Sequence, residues 1–481
     1  MPTEEFTYTS AWRPAPVPAG PPTAPPGPVL IVHAPSGRPL ADALARLHAA
    51  RSPADEVVRL EASPHAPWPA TVPAPRTVYF LGGLAEGAAD GVAALERAEG
   101  SGVRALFRTA RDLVIPAAAT READWRIVTN DAWAVAGGRV TNPHAASLAG
   151  LARVLESEHR RWKAPVVDLG LGGRLPGADS PHLEHLAALI AAEPAVRGGH
   201  AAHRDGARHV RALRPVTLPA PRPGHVRDGG TYVIVGGAGG IGLEVARFLA
   251  RDHGARVALL GRSAPGEERL RTIREADPDG TRLLYVRADA RDTASLRAGL
   301  RVVHERFGAV HGVIHSALAH APGLVRGLGQ EALCESLAAK SRISVALAEA
   351  FHDEPLDFLL FFSSVQSLLG DAGLAGYAAG SAFQDAYAHA LDQRLPFPVR
   401  VVDWGWWGTV GAAAGAGVRE RALRQGFRSI SPREGFETVL RTLAGPLVQV
   451  LAVPAEDVLL RRLGLGGAGE GTGPRLTRLP V

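Results

Sequence analysis

The chain places two hydroxyls and a phenol close enough in sequence to do chemistry on a carbonyl. The apolar run LDFLLFF ends in Ser363 and Ser364, a glycine-bearing loop follows, and Tyr377 opens a helix-like segment, YAAGSAFQDAYAH. One such group can donate a proton while another stabilises the oxyanion that develops. A tyrosine with an ordinary pKa of about 10 needs a cation beside it to work at neutral pH. One helical turn on, the chain carries Ser381 instead of a lysine. Its basic residues are almost all arginine, the only lysines being Lys163 and Lys340. Arginine does not replace lysine where a compact ammonium is required, so each lysine is a candidate.

A second constellation points to a nucleotide. VGGAGGIG, residues 235–242, follows the strand-like run TYVIV and opens the helix-like LEVARFLARDHG. Gly237, Gly239 and Gly242 form G-x-G-x-x-G, with Ile241 between Gly240 and Gly242, while Gly236 and Gly240 also allow close backbone approach. Such a turn seats a pyrophosphate against free N–H groups at a helix N-terminus. The next apolar run ends in Gly261, Arg262 and Ser263, with Arg262 lying 20 residues past Gly242. A carboxylate there would suit the ribose of NADH; an arginine suits a 2′-phosphate, so NADPH is the expected cofactor. Asp289, at the end of VRADA, could accept from an adenine amino group or cap the helix that follows.

These groups need a scaffold, and 481 residues are enough for two domains. Hydrophobic residues make up 46% of the chain and no apolar run reaches membrane-spanning length, so a soluble, non-membrane protein is expected. The acidic start MPTEEFTYTS reads as neither signal peptide nor anchor. One cysteine, Cys334, excludes an internal disulfide framework and fits the cytosol. The net charge of +5 is carried by scattered arginines with no basic stripe, which argues against nucleic acid. The histidine pairs His182/His185 and His311/His315 lack partners at zinc-site spacing, so no metal is expected.

Residues 1–28 are proline-rich and read as an extended lead-in. From 29 to 220, runs such as PVLIVHA, TVYFLGG, RALFRTA, WRIVTN and APVVDLG read as strands, alternating with helical stretches such as ADALARLHAAR and GVAALERAEG. This half lacks a phosphate turn and is expected to be a non-nucleotide-binding structural unit. A proline- and glycine-rich seam, residues 214–230, separates it from a second unit at 228–463. There, seven apolar strands with helices between them, one long helix containing Lys340, form a complete doubly wound sheet. Residues 464–481 read as a tail. The fold class is α/β, with two Rossmann-like subdomains, the first truncated.

The second half resembles the ketoreductase domain of modular type I polyketide synthases, a branch of the short-chain dehydrogenase/reductases. The first half is similar to the truncated structural subdomain that precedes it, including the run VTNPHAASLAGLARVLESEHRRW followed by VVDLG. HSAL, FSSVQS and YAAGSAFQDAYAH are most similar to the domains of trans-acyltransferase assembly lines. The resemblance answers the lysine question, because that family takes its lysine from the preceding helix. Lys340 lies 24 residues before Ser364, which lies 13 before Tyr377, as in the family. It implies Tyr377 as proton donor, Ser364 as oxyanion partner and Lys340 as the cation that lowers the tyrosine pKa; Ser363 is structural. Ser381 stands where the family has an asparagine that organises the lysine and its water.

The implied activity is NADPH-dependent reduction of a β-ketoacyl thioester, carried on the phosphopantetheine arm of an acyl carrier protein, to the β-hydroxyacyl thioester. Other polyketide synthase domains are the implied partners and the cytoplasm the implied site. A free-standing reductase of small ketones and an inactive scaffolding domain are the rivals. His320, Ala321 and Pro322 fill the slot of the family's D-product aspartate motif, and Leu369 fills that of an L-product tryptophan. The missing aspartate implies the L-configured alcohol.

Overall fold

The computed structural model describes residues 6–16, 25–62, 69, 72–87, 91–221, 224–408, 410 and 415–465. The first half contains β1 (Thr7–Ala15), β2 (Val29–His33), β3 (Val57–Glu61), β4 (Thr77–Gly83), β5 (Ala123–Asn130), β6 (Trp162–Lys163), β7 (Val166–Leu169), β8 (His200–Arg204) and β9 (Ala207–Pro215). The second contains β10 (Thr231–Val235), β11 (Arg256–Gly261), β12 (Leu283–Arg287), β13 (Gly312–His315), β14 (Phe358–Ser364), β15 (Val399–Trp404) and β16 (Gln449–Ala452).

In the second half the spatial order is β12-β11-β10-β13-β14-β15-β16, and every neighbouring pair is parallel. Parallel strands are covered by helices on both faces, which is why these segments read as continuous apolar runs. Val233, Val235, Phe361 and Val401 pack one way with Phe383 and Tyr387. Their neighbours Tyr232, Ile234, Leu360 and Val402 pack the other way, with Leu249 and Phe436. The order of connection reverses at β10 and β13, so a crevice opens beyond their C-terminal ends.

The first half repeats the plan with seven strands in the order β9-β8-β7-β5-β4-β2-β3, parallel except for β8–β9, and an eighth, β6, pairing β5. The two halves form one sheet through β1. It runs antiparallel to β16 on one side and to β9 on the other. This corrects the expected lead-in over residues 1–28. Phe6, Thr7, Tyr8 and Thr9 are buried, and the strand covers two sheet edges that would otherwise be open. The prolines that suggested an extended leader mostly follow this strand.

Two further expectations change. RALFRTA is helical, in a helix Val103–Arg108 that continues as a π-helical stretch through Val114. Val103, Leu106, Phe107, Ala110 and Val114 follow a three-to-four-residue period, and Ala105, Thr109 and Leu113 widen the buried face, which the short apolar run obscured. The long helix expected around Lys340 is two helices, Gln330–Ala338 and Ser341–Ala350, broken at the lysine. The tail lies outside the described residues from 466 onwards.

The helix Ala375–Asp392 is buried almost all round. It packs on β14 and β15 and, on its other side, against the helix Ser147–Glu158 of the first half. A Cβ at Gly150 would lie 2.2 Å from the Ala378 carbonyl oxygen, so only glycine permits this approach. The first half thereby braces the element that carries Tyr377.

Candidate active site

A cleft of about 1300 Å³ runs along the C-terminal ends of the second-half strands. At one end the chain leaves β10 through a glycine turn and enters the helix Gly240–Asp252. Gly236 has φ +77°, and a Cβ there would lie 2.7 Å from the Ala317 Cα. A Cβ at Gly242 would meet the Gly237 Cα at 2.8 Å, so helix and turn pack without side chains between them. At Gly239 a Cβ would meet nothing within 4 Å, because that position faces the cleft. The helix N-terminus thus presents unobstructed N–H groups and its positive dipole end to open space, a cradle of the right chemistry for a pyrophosphate.

Arg262 and Ser263 are exposed on the same wall of the cleft. Asp289 also lines it, but both its oxygens are engaged by Arg291, at 3.0 and 2.7 Å. That hydrogen-bonded pairing holds its carboxyl below the usual aspartate value. Asp289 does not cap the following helix. Asp292 does, accepting from the Ala294 N–H at 2.9 Å.

At the centre, Ser364 ends β14, Tyr377 lies in the first turn of its helix, and Lys340 sits at the break between its two helices. All three line the cleft. The Ser364 oxygen accepts from the Gln366 N–H at 3.2 Å. Burial raises the Tyr377 pKa; the Ser364 hydroxyl opposes that and Asp403 adds to it. A phenol held in this way is protonated at neutral pH, the state an acid needs.

Lys340 is 3% exposed, and burial lowers its pKa to about 8, opposed by Asp385 and Asp403. Its ammonium donates to the Phe362 carbonyl and lies 5.7 Å from the centroid of the Tyr377 ring. The break that aims it inward is held by Ser344, whose hydroxyl donates to the Lys340 carbonyl at 2.7 Å. Gly380 makes room for the lysine stem: a Cβ there would lie 2.7 Å from the Lys340 Cβ.

Of the other candidate residues, Gly236, Gly240 and Ile241 line the cleft, whereas Gly237, Gly242 and Ser381 lie behind its surface. Ser381 is fully buried and its hydroxyl has no partner. Ser363 also lines the cleft, but its hydroxyl is committed to Asp385, to which it donates at 2.6 Å.

Several residues make contacts at the site that their sequence positions did not reveal. His320 packs edge-on to Tyr377, with ring centroids 5.9 Å apart, and burial lowers its pKa. His315 lies fully buried beneath Lys340, held well below its usual pKa by burial and by that charge. At the far end Asp371 is fixed by Gln366 at 2.9 Å, Gln425 at 3.2 Å and Arg462 at 2.6 Å. Asp403 carried a signal in retrospect, as a lone acid inside the apolar run VRVVDW. Among the described residues no three metal-ligating side chains cluster, and no helix is long and apolar enough to cross a membrane.

A parallel sheet of this order, with a glycine turn after its first strand, is the short-chain dehydrogenase/reductase fold. The chain belongs, through residues 230–409, to the family described as "KR domain", the ketoreductases of polyketide synthases. It is 38% identical over 385 residues to polyketide synthase ThaG of Burkholderia thailandensis, an alignment covering 79% of this chain and 7% of that protein. It is 30% identical to polyketide synthase PksN of Bacillus subtilis, over 74% of this chain and 6% of the relative. The chain therefore spans less than a tenth of these relatives.

Among solved structures, a ketoreductase domain from the bacillaene assembly line superposes with a TM-score of 0.71 at 21% identity, over 95% of this chain and 99% of that one. A-type ketoreductases from a modular polyketide synthase give a TM-score of 0.76 at 24% identity, over 96% of each chain. These likenesses extend the shared fold to the first half as well.

Proposed function

We propose that the protein reduces a β-ketoacyl thioester, presented by an acyl carrier protein, to the β-hydroxyacyl thioester, with NADPH as reductant. The observation that carries this reading is the convergence of Tyr377, Ser364 and Lys340 on a cleft whose other end is the open glycine cradle at Gly239. Gly236, Gly239, Gly240 and Ile241 would hold the pyrophosphate, and Arg262 with Ser263 would take the 2′-phosphate. The chemistry supplied by NADPH in that cradle is hydride donation to the ketone carbon.

Negative charge then develops on the ketone oxygen. Tyr377 donates its phenolic proton to it, while the Ser364 hydroxyl hydrogen-bonds the same oxygen. Lys340 supports the phenolate that is left. Asp289 contributes to the adenine end once Arg291 yields an oxygen. The same cleft is lined by Asp371 and Gln366, which would leave room beyond Tyr377 for a pantetheine arm. The Pro322 loop beside His320 favours the L-configured alcohol. The reaction takes place in the cytoplasm, within a larger synthase whose other domains supply the substrate and consume the product.

The test is NADPH consumption with a β-ketoacyl pantetheine or carrier-protein thioester, compared with a simple ketone and with no substrate. Turnover confined to the thioester supports the reading. Equal rates with the simple ketone contradict it.

A further inference from the structure

From Tyr377 a polar column runs behind Lys340, away from the cleft, and beyond the tyrosine the proposed reaction does not use it. Tyr377, Ser381 and Asp385 are spaced at i, i+4 and i+8, so they share one face of their helix. That face meets β14 and β15, where Ser363 and Asp403 are register partners and project to the same side of the sheet. Asp385 Oδ1 accepts from Ser363 at 2.6 Å, and Asp403 Oδ2 accepts from Gln449 at 2.6 Å. This leaves Asp385 Oδ2 and Asp403 Oδ1 buried and accepting no hydrogen bond, with the Ser367 hydroxyl, itself buried without a partner, beside Asp385. The two carboxyls are within hydrogen-bond reach of each other. Carboxylate oxygens facing one another in a dry interior need a proton between them.

The charged groups around the pair are few. Lys340 faces it from the helix break and Arg211 from β9. His315, on β13, faces Lys340 and is held neutral. His389, one turn past Asp385, is lowered to about 4 by burial and by Arg211. Ser381, between Tyr377 and Asp385, gives the lysine no help, since its hydroxyl is unpartnered. Asp385 and Asp403 are the two groups whose charge favours the protonated lysine against burial.

We propose that Asp385 and Asp403 share one proton and act as a single monoanionic counterion that keeps Lys340 charged. They are positioning residues: neither lines the cleft, and both act through the lysine. Their importance rests on Lys340 belonging to the reductase site, but the charge state of the pair does not.

An unusual pattern follows. Asparagine at either position stands in for the protonated acid and leaves one negative charge in place. Asparagine at both removes it. Since the chain has two lysines, 13Cε-lysine labelling gives two NMR titrations, assigned by Lys163→Arg. Asp385→Asn and Asp403→Asn should each move the Lys340 midpoint by less than about half a unit. The double variant should lower it by about one unit or more, a tenfold change in its proton affinity. The pH at which turnover falls should shift by the same amount.

A single variant shifting as far as the double, or no shift in any variant, overturns the proposal. If the double variant does not fold, infrared difference spectra at pH 7 decide. A neutral carboxylic acid band in the wild type should vanish in either single variant, and its persistence in both overturns the shared proton. Failure of the reduction assay with these titrations intact counts against the proposed reaction and not against the pair.

Discussion

Two glycines three residues apart should respond to the same methyl in opposite ways. Gly239→Ala adds a Cβ at φ −163° and ψ 161°, extended backbone open to any residue, with no atom within 4 Å. The fold should tolerate it, and the loss of unfolded-state freedom should stabilise it by about 0.4–1 kcal/mol. The space the methyl enters is the cradle, however, so it pushes a bound pyrophosphate away from the helix N-terminus. Losing one or two charge-assisted hydrogen bonds, each worth roughly 1.5–3 kcal/mol, weakens NADPH binding by at least about tenfold.

Gly236→Ala instead combines φ +77° with overlap of Ala317 main-chain atoms at 2.7 and 2.8 Å. Left-handed strain alone costs roughly 1–2 kcal/mol, and the overlap adds to it, so this variant should lose stability outright. Thermal melts without cofactor and fluorescence titration with NADPH separate the two. A Gly239→Ala protein that binds NADPH like the wild type refutes the placement of the phosphate. A Gly236→Ala protein that melts like the wild type refutes the argument from the turn.

Arg262→Ala should weaken NADPH by about 10- to 100-fold while leaving NADH nearly unchanged, because the proposed contact is to a phosphate that NADH lacks; equal losses would make Arg262 ordinary surface charge. Turnover should fall above pH of about 8 as Lys340 loses its proton. Stability should move the other way: a lysine whose folded pKa is depressed carries its burial penalty below that pKa and is relieved as pH rises towards its unfolded value. The stability of wild type relative to Lys340→Met should therefore rise between pH 8 and 10.5, by up to roughly 3 kcal/mol, in urea unfolding series. A fragment of residues 228–463 should be insoluble or inactive, since it bares the β16 edge and the helix face that Gly150 contacts; a soluble, fully active fragment would contradict the bracing role.

What the sequence made legible was what local pattern encodes. Continuous apolar runs marked β10 to β15 because strands buried on both faces need them, and the glycine turn stood out because backbone geometry dictates its residues. Lys340 stood out through scarcity. The failures have a shared cause, in that the deciding contacts are distant in sequence. β1 is fixed as a strand by β9 and β16 on either side of it; the strand-favouring run Phe6-Thr7-Tyr8-Thr9 is too short, and too close to the prolines that follow, to name those partners. The Lys340 stem has its room only because position 380, forty residues later, is glycine. Asp403 and Asp385 became a pair only when β15 and the Tyr377 helix met.

The most direct test of the account follows the hydride itself. NADPH carrying deuterium at C4, on the face that is transferred, is incubated with the protein and a β-ketoacyl thioester, and the product is read by mass spectrometry. One deuterium should appear on the β-carbon of a β-hydroxyacyl thioester, and Tyr377→Phe should slow its appearance by about 10²–10⁴-fold while still binding NADPH. Unlabelled alcohol, no alcohol, or a Tyr377→Phe protein within about tenfold of the wild type would contradict the assignment.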